Sequence, residues 1–323
     1  MPGPHPAVAQ LRSAVRPALA GPGVLVACSG GADSLALAAA VAFEAARQDG
    51  CPYGLVTIDH GLQDGSAEQA QRVAALGYEL GFDPVEIVRV EVGTAGGPEA
   101  AARAARYRAL DAVAESLDRH VLLGHTLDDQ AETVLLGLGR GSGARSISGM
   151  RARSGRYRRP LLGIRRTTTE AACRALGLAW WDDPHNTDPA LQRVRLRREV
   201  LPLLEDVLQG GVAEALARTA AQLQDDQDAL AGPALATLAR VSGDELPVEL
   251  LDAMPKAVRT RVLRHWALAG GAVEVTAAHV ERLDALVTHW RGQRRIALPG
   301  GVGVRRRSDR LVRDAPHPPG DSS

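Results

Sequence analysis

The sequence predicts an α/β fold in which a doubly wound parallel sheet is followed by a smaller, mostly helical domain. Short apolar runs of strand length alternate with helical patterns up to about residue 205, which is typical of parallel strands joined by helices. A glycine-rich turn follows the first run, and after residue 206 the chain becomes Ala/Leu-rich with a helical pattern. These observations predict a first domain over 1–205, a second over 206–314 and a disordered tail over 315–323.

The stretch 24–37 organises the first domain, because it joins an apolar run, a Ser-Gly-Gly turn and an Ala/Leu-rich helical pattern. Two consecutive glycines let the backbone adopt positive φ and turn its N–H groups toward a ligand. With the positive end of the helix dipole, these donors would hold a polyphosphate. Asp33 cannot bind phosphate directly, so we expect it to face a Mg²⁺ ion held by that phosphate. The predicted nucleotide-binding residues here are Ser29, Gly30, Gly31, Ala32, Asp33 and Ser34.

The remaining elements continue this alternation. Strands are predicted over 54–58, 85–90 and 121–125, and helices over 66–80, from 98, from 126, over 167–176 and over 192–204. The stretch 137–149 is rich in glycine and serine and predicts a mobile loop. In the second domain, helical patterns reach residue 291, and the stretches 296–299 and 302–307 predict a terminal hairpin.

Polar residues follow the second and fourth predicted strands. Asp59 and His60 end the second strand, and His125 ends the fourth. Because ligands of open parallel sheets lie beyond the carboxyl ends of the strands, we expect these side chains near the nucleotide. The alternative for the first two is a capping aspartate and a surface histidine.

Two helices carry paired charges. Arg103 and Arg106, three residues apart, share one helix face. Asp129 and Glu132 have the same spacing, and their helix starts just past a strand, so both carboxylates are expected to face the nucleotide crevice. The alternative is that Asp128 or Asp129 caps the helix and Glu132 closes a capping box.

Composition excludes several classes of protein. The 323-residue chain has no run of about 18 apolar residues and no signal segment, so we expect a cytoplasmic protein with no membrane partner. Its three cysteines, Cys28, Cys51 and Cys173, form neither a C-x-x-C pair nor a zinc spacing. Acidic and basic residues balance at 38 each, and Lys256 is the single lysine.

The stretch 140–198 is strongly basic. It carries fourteen arginines against Glu170, Asp182, Asp183 and Asp188, a balance of +10 (14 − 4). An excess of this size predicts a polyanionic partner, for which nucleic acid is the obvious candidate. The alternative is a solvated, salt-bridged face.

The loop at 29–34 lacks the Gly-Lys-Ser/Thr end of a Walker A loop and the third glycine of a dinucleotide fingerprint, so it predicts neither a kinase nor a dehydrogenase. It resembles the S-G-G-x-D-S loop of the PP-loop ATP pyrophosphatases, which cleave ATP between the α and β phosphates. That resemblance implies ATP as a substrate. The alternative is a Gly-rich turn, capped by Ser and Asp, in another kind of α/β protein.

Further motifs narrow the resemblance to the tRNA(Ile)-lysidine synthases. They are Asp59-His60-Gly61-Leu62, the Ala-Arg-x-x-Arg-Tyr helix at 102–107, the run at 128–133, Arg140-Gly141-Ser142-Gly143, Arg159-Pro160-Leu161-Leu162 and Asp183-Pro184-x-Asn186-x-Asp188. Their order over about 24–204 is the order typical of that family. Two positions depart from it: Val194 replaces an Asn in the R-N-x-[IV]-R motif, where we keep Arg195 as the matching basic residue, and Thr126 follows His125 where two histidines are common.

The resemblance implies ligation of free L-lysine to C2 of the wobble cytidine in the CAU anticodon of tRNA(Ile), through an adenylated cytidine. It also implies a small second domain that contacts tRNA, and it leaves a homodimer open. The implied catalytic residues are Asp33, Arg103, Arg106, Asp129, Glu132 and Arg195, with Asp33 also holding Mg²⁺. The alternatives are a PP-loop thiolase, which would need paired cysteines, or a non-catalytic module that binds ATP and RNA.

Overall fold

A computed structural model describes residues 3–48, 50–61, 65–93, 97–139, 143–182, 188–241 and 243–314. The chain divides into two compact units, one formed by Met1–Leu136 with Gly149–Arg218 and the other by Gly137–Ser148 with Thr219–Ser323. The predicted tail at 315–323 lies outside the described residues, as do Leu62, 140–142 and 183–187 of the sequence motifs. The division into units falls between Arg218 and Thr219 and does not test the predicted domain boundary after residue 205, which stays a prediction.

The first unit contains a six-stranded sheet in the order β3-β2-β1-β4-β6-β5. Its strands are β1 (Val24–Ala27), β2 (Tyr53–Asp59), β3 (Val85–Arg89), β4 (His120–Leu123), β5 (Arg153–Ser154) and β6 (Tyr157–Arg158). All neighbours pair in parallel except β5 and β6. Because β2 and β4 flank β1 on opposite sides, the chain reverses its direction of winding at β1, and the loop after β1 lies at this switch point. The predicted fold class is confirmed.

Helices cover both faces of this sheet. They are α1 (Pro6–Val15), α2 (Ala32–Ala45), α3 (Ser66–Glu79), α4 (Pro98–Ser116), α5 (Leu127–Gly139), α6 (Arg166–Leu176), α7 (Gln192–Arg195) and α8 (Leu201–Val207). Alternate residues of β1 enter different cores: Val24 and Val26 pack with residues of α1, α2 and α6, whereas Leu25 and Ala27 pack with α4. The central strand is therefore apolar at every position. Helix α5 continues past the predicted loop start at Gly137, because a glycine costs a helix only about 1 kcal/mol.

Helix α9 (Val212–Ala239) has residues in both units, and the second unit adds α10 (Val248–Asp252), α11 (Lys256–Ala269) and α12 (Ala277–Thr288). Its antiparallel sheet has the order β7-β10-β9-β8, formed by Glu245–Pro247, Arg310–Asp314, Gly303–Arg307 and Ile296–Ala297 respectively. The predicted hairpin corresponds to β8 and β9. Strands β7 and β10 were not predicted, since each is short and flanked by charges.

Among the described residues, none of the helices combines the length and the apolar character needed to span a bilayer.

Candidate functional site

The loop after β1 presents the start of α2 to solvent. This helix has Gly31 at its N-cap, and no side chain among the described residues accepts a hydrogen bond from its first N–H groups, so these donors are available to an anion. Gly30 has φ +84°, and a Cβ there would collide with the side chains of Gln69 and Val73, which explains the glycine. Gly31 has an ordinary φ of −77°, so the expectation that both glycines use positive φ is wrong for Gly31.

The two predicted serines take different places in this loop. The Ser34 hydroxyl is buried; it accepts from the Ser29 N–H at 3.1 Å and donates to the Gly31 carbonyl at 2.9 Å. It therefore fixes the loop from inside. Ser29 is exposed, with its Oγ 3.3 Å from that of Ser34. Contacts of either hydroxyl with phosphate stay predictions.

Asp33 lies in the first turn of α2, and both of its carboxylate oxygens are engaged. Its Oδ2 accepts from Arg166 Nε at 3.1 Å, and its Oδ1 accepts from the Thr169 hydroxyl. Burial raises the pKa of Asp33 above its usual range, in spite of the nearby guanidinium. Among the residues that the structure describes, no three His, Cys, Asp or Glu side chains are placed to hold a metal ion. A role of Asp33 in holding a Mg²⁺ ion together with substrate phosphates therefore stays a prediction.

Asp59 stabilises the turn after β2. Its Oδ1 accepts from the Gly61 N–H at 2.9 Å and from the Ser66 hydroxyl at 2.7 Å. The hydrogen bond from Ser66 lowers the pKa of Asp59. These contacts match the capping alternative, and a contact with nucleotide stays a prediction. His60 follows Asp59 at the carboxyl end of β2.

Asp129 closes a capping box at the start of α5. Its Oδ2 accepts from the Thr126 N–H at 2.8 Å and from the Thr126 hydroxyl at 2.9 Å. Asp129, and not Glu132, therefore takes the capping role that the sequence left open. Its other oxygen, Oδ1, accepts from Arg166 Nη2 at 2.6 Å. Burial pushes the pKa of Asp129 up, but the charge of Arg166 and the Thr126 N–H outweigh it, so this pKa lies below its usual range.

Glu132 is fully buried and is surrounded by guanidinium groups. Arg197 donates to both carboxylate oxygens, from Nε at 2.7 Å and from Nη2 at 3.3 Å. Arg166 and Arg193 each place an Nη1 atom 3.7 Å from the same carboxylate. We call Asp33, Asp129 and Glu132, with Arg166, Arg193 and Arg197, the carboxylate cluster. The shared Arg166 brings the loop after β1 next to the two acids of α5.

Arg195, the basic residue that the sequence favoured, lies apart from this cluster. Its guanidinium pairs with Glu199 at 3.0 Å, and its side chain is 61% exposed. Arg193 and Arg197 are four residues apart and share the side that faces Glu132, whereas the residue between them does not. The five residues Leu196–Val200 form a π-helical turn at this point. A catalytic role for Arg195 stays a prediction that this geometry does not support.

A second group of cations surrounds His125. Arg103 donates to the Tyr107 hydroxyl at 3.2 Å, while the half-buried Arg106 forms no hydrogen bond or ion pair with any residue that the structure describes. His125 Nδ1 accepts from Arg159 Nε at 3.3 Å. The pKa of His125 is lowered to about 3, mainly by burial; the charge of Asp129 opposes this shift, and the nearby arginines contribute to it. The imidazole is therefore neutral, with its proton on Nε2, and its surroundings suit an anion.

The basic stretch 140–198 is partly neutralised within the first unit. Besides the arginines of the carboxylate cluster, Arg165 contacts Asp128 at 3.2 Å, Glu205 at 3.0 Å and Glu214 at 2.7 Å. The salt-bridged alternative thus accounts for part of the excess charge. Arg153 and Arg198 are exposed and form no ion pair with another described residue.

Two families match the chain, a PP-loop domain over residues 5–204 and a TilS substrate binding domain over residues 246–312. Relatives named tRNA(Ile)-lysidine synthase include one from Thermobifida fusca, 56% identical over 97% of this chain and 99% of its own length. Another, from Streptomyces coelicolor, is 53% identical over 96% and 99%. The solved U34-tRNA thiolase NcsA from Methanococcus maripaludis matches 68% of this chain and 80% of its own with a TM-score of 0.58 and 18% identity, a likeness of fold alone.

Proposed function

The chain belongs to the tRNA(Ile)-lysidine synthase family, ligase-type enzymes that modify tRNA with ATP, and we propose that it joins free L-lysine to C2 of the wobble cytidine in the CAU anticodon of tRNA(Ile). The observation that carries this proposal is the guanidinium of Arg166, which contacts Asp33 of the loop and Asp129 of α5 at once. This contact supports the proposal, because it joins the predicted phosphate loop to the acid that we propose for binding an ammonium group.

The first step activates the cytidine. Its O2 is a poor leaving group, so we propose that O2 attacks the α-phosphorus of ATP and expels pyrophosphate. The free N–H groups at the start of α2 hold the phosphates, and Arg103 and Arg106 offset the charge of the transferring phosphate. Asp33 would hold a Mg²⁺ ion together with those phosphates, which would supply positive charge against the leaving pyrophosphate.

In the second step, the lysine ε-amine attacks C2, and the C2–O bond to AMP breaks. An amine with a pKa near 10.4 is only about 0.04% unprotonated at pH 7, and freeing it costs about 4.6 kcal/mol. We propose that Asp129 holds the ammonium group, since Glu132 is fully buried and already bound by Arg197. The proton then passes to Asp129, Glu132 or an oxygen of the departing adenylate. We propose that the amine is that of a free lysine from solution.

We propose that tRNA binds through exposed arginines of the first unit and through the region 246–312. Arg153 and Arg198 are the candidates in the first unit, because guanidinium groups without an acidic partner are free to contact phosphates. Arginine also forms forked hydrogen bonds that match phosphate oxygens.

A PP-loop thiolase explains the site less well. The free thiols Cys28 and Cys173 are buried, and burial raises the pKa of both, that of Cys173 to about 12. Such thiols are poor nucleophiles. A non-catalytic module that binds ATP and RNA would not need three carboxylates gathered beside a phosphate loop, at the desolvation cost this entails.

The test incubates the protein with ATP, radiolabelled lysine and a tRNA(Ile) transcript that carries the CAU anticodon. We expect label on the RNA and one pyrophosphate released for each lysine attached. A transcript whose wobble cytidine is replaced by uridine serves as the control and should stay unlabelled. The Asp33→Asn variant should release pyrophosphate roughly 10² to 10³ times more slowly while still binding tRNA. Absence of label with the wild-type protein would contradict the proposal.

A further inference from the structure

One guanidinium is shared by all three acids of the carboxylate cluster. Arg166 donates from Nε to Asp33 at 3.1 Å and from Nη2 to Asp129 at 2.6 Å, and its Nη1 lies 3.7 Å from Glu132. Its side chain is only 19% exposed. Three separate nitrogens thus face three acids from two helices, Asp33 on α2 and Asp129 and Glu132 on α5, and the arrangement is more than an incidental surface pair.

Most of the other carboxylate oxygens have partners of their own. Asp129 Oδ2 is bound by Thr126, and Asp33 Oδ1 by Thr169. Both oxygens of Glu132 are bound by Arg197. This leaves Asp129 Oδ1 and Asp33 Oδ2. Arg166 donates to both, and Arg197 Nη2 lies farther from Asp129 Oδ1, at 3.5 Å. An ammonium group that is to reach Asp129 must therefore replace the guanidinium that is already there.

The charges of the cluster balance while Arg166 stays in place. Three carboxylates face three guanidinium groups within 4.0 Å, so their formal charges sum to zero (3 − 3). A neutral cluster attracts an ammonium group weakly, whereas one without Arg166 would carry one net negative charge in a partly desolvated site. Such a site would bind simple amines and metal ions as well as lysine.

We propose that Arg166 is a resident cation that the substrate lysine displaces, and that it thereby sets the affinity of the site for amines. This inference rests on the proposed function. Arg166 is a specificity-determining residue: it makes an ammonium group alone a poor ligand, so a substrate must gain further contacts to displace it. The opposite view, in which Arg166 merely fixes the acids, predicts the opposite change when its charge is removed.

The experiment measures the KM for lysine in lysine transfer to tRNA for the wild type, Arg166→Lys and Arg166→Met. We expect the wild type to have the highest KM for lysine. In Arg166→Lys this KM should be about threefold lower, because an ammonium group reaches fewer carboxylates than a guanidinium, and in Arg166→Met it should be on the order of tenfold lower. Arg165→Met is the matched control: Arg165 precedes Arg166 and is equally networked, but to Asp128, Glu205 and Glu214, so the lysine KM should not change.

A lysine KM that is unchanged or higher in Arg166→Met overturns the inference, because loss of a structural tether would weaken lysine binding. If Arg166→Met does not fold, Arg166→Lys decides by the same criterion. A wild-type protein that places no lysine on tRNA would refute the proposed function itself. If the wild type places lysine on tRNA but the lysine KM values fall in the wrong order, only the proposed role of Arg166 is refuted.

Discussion

Two buried ion-pair regions of this molecule are built differently. In the second unit, Arg259 Nε lies 2.6 Å from Asp284 Oδ1, and the two side chains are 9% and 11% exposed. The same arginine donates to the Met254 carbonyl at 2.9 Å. In the first unit, Arg166 divides its donors among three acids and is 19% exposed. The first arrangement is one-to-one and closed, and the second is shared and reachable from solvent.

The difference shows how ion pairs for packing and for binding can be told apart. In a one-to-one buried pair each charge is compensated by its single partner, and removing one partner leaves an uncompensated buried charge. A shared guanidinium leaves each acid with a partner that another cation can replace. Burial alone would not separate the regions, because Glu132 is more deeply buried than Asp284.

Breaking the closed pair of Arg259 and Asp284 should give the largest effect, and this effect should be on stability alone. Asp284→Asn leaves Arg259 charged and unpaired, so the free energy of unfolding should fall by about 3 to 5 kcal/mol. Urea unfolding followed by tryptophan fluorescence measures it, since Trp266 packs in the core of the same unit. The double variant Arg259→Met/Asp284→Leu should recover most of the loss. An unchanged midpoint for Asp284→Asn would show that the pair is not structural.

Removing a charge from the carboxylate cluster should give a smaller effect, and this effect should be on ligand binding. Asp129→Asn keeps the shape and a capping oxygen but removes the charge that attracts an ammonium group. We expect the lysine affinity to fall by roughly 30- to 1000-fold, from about 2 to 4 kcal/mol, while ATP and tRNA still bind. Pyrophosphate release and AMP-linked tRNA, each with and without lysine, provide the measurement. Normal lysine dependence would reduce Asp129 to a helix cap.

The neutral imidazole of His125 should make stability depend on pH. Its pKa is about 3 in the folded protein against 6.5 ordinarily, so between these values the unfolded chain binds a proton that the native one does not. The contribution of His125 to the free energy of unfolding has its full value above pH 6.5, and it falls by up to about 1.4 kcal/mol per pH unit as the pH drops. In His125→Asn, which keeps an acceptor for Arg159, urea midpoints from pH 7 to 5 should fall less steeply. Equal slopes would refute the buried neutral form.

The smallest effect is expected from the exposed arginines. Arg153→Gln and Arg198→Gln should each weaken tRNA binding slightly and reduce the slope of log affinity against log salt by about 1. Arg195→Gln is the control, because Arg195 already pairs with Glu199 at 3.0 Å. Filter binding at salt concentrations from about 50 to about 200 mM measures these slopes. Equal slopes for all three variants would mean that ion pairing does not decide which arginines bind RNA.

The sequence predicted the sheet and the phosphate loop because both depend on local patterns. Apolar runs identify buried strands, and a Ser-Gly-Gly turn before a helix identifies the loop. The polar residues at the carboxyl ends of strands follow from topology, which is why Asp59 and His125 could be singled out. Their contacts could not be predicted, and Asp59 proves to fasten a turn.

The arginines of the carboxylate cluster could not be found from the sequence. Arg166 meets Asp33 across 133 residues, and Arg197 meets Glu132 across 65, so no local spacing encodes either contact. An arginine-rich composition weakens the signal of any single arginine. The one local clue was the spacing of four between Arg193 and Arg197, which puts them on one helix face and leaves Arg195 off it.

The central claim is that activation of the cytidine and attack by lysine are separate steps served by adjoining groups of residues. Incubation of the wild-type protein with ATP labelled in the α-phosphate and tRNA(Ile), without lysine, tests it most directly. We predict that labelled AMP becomes attached to the RNA with release of pyrophosphate, and that added lysine converts this species to lysine-bearing tRNA and free AMP. Pyrophosphate release that begins only with lysine, with no AMP-linked tRNA at any time, would contradict the claim.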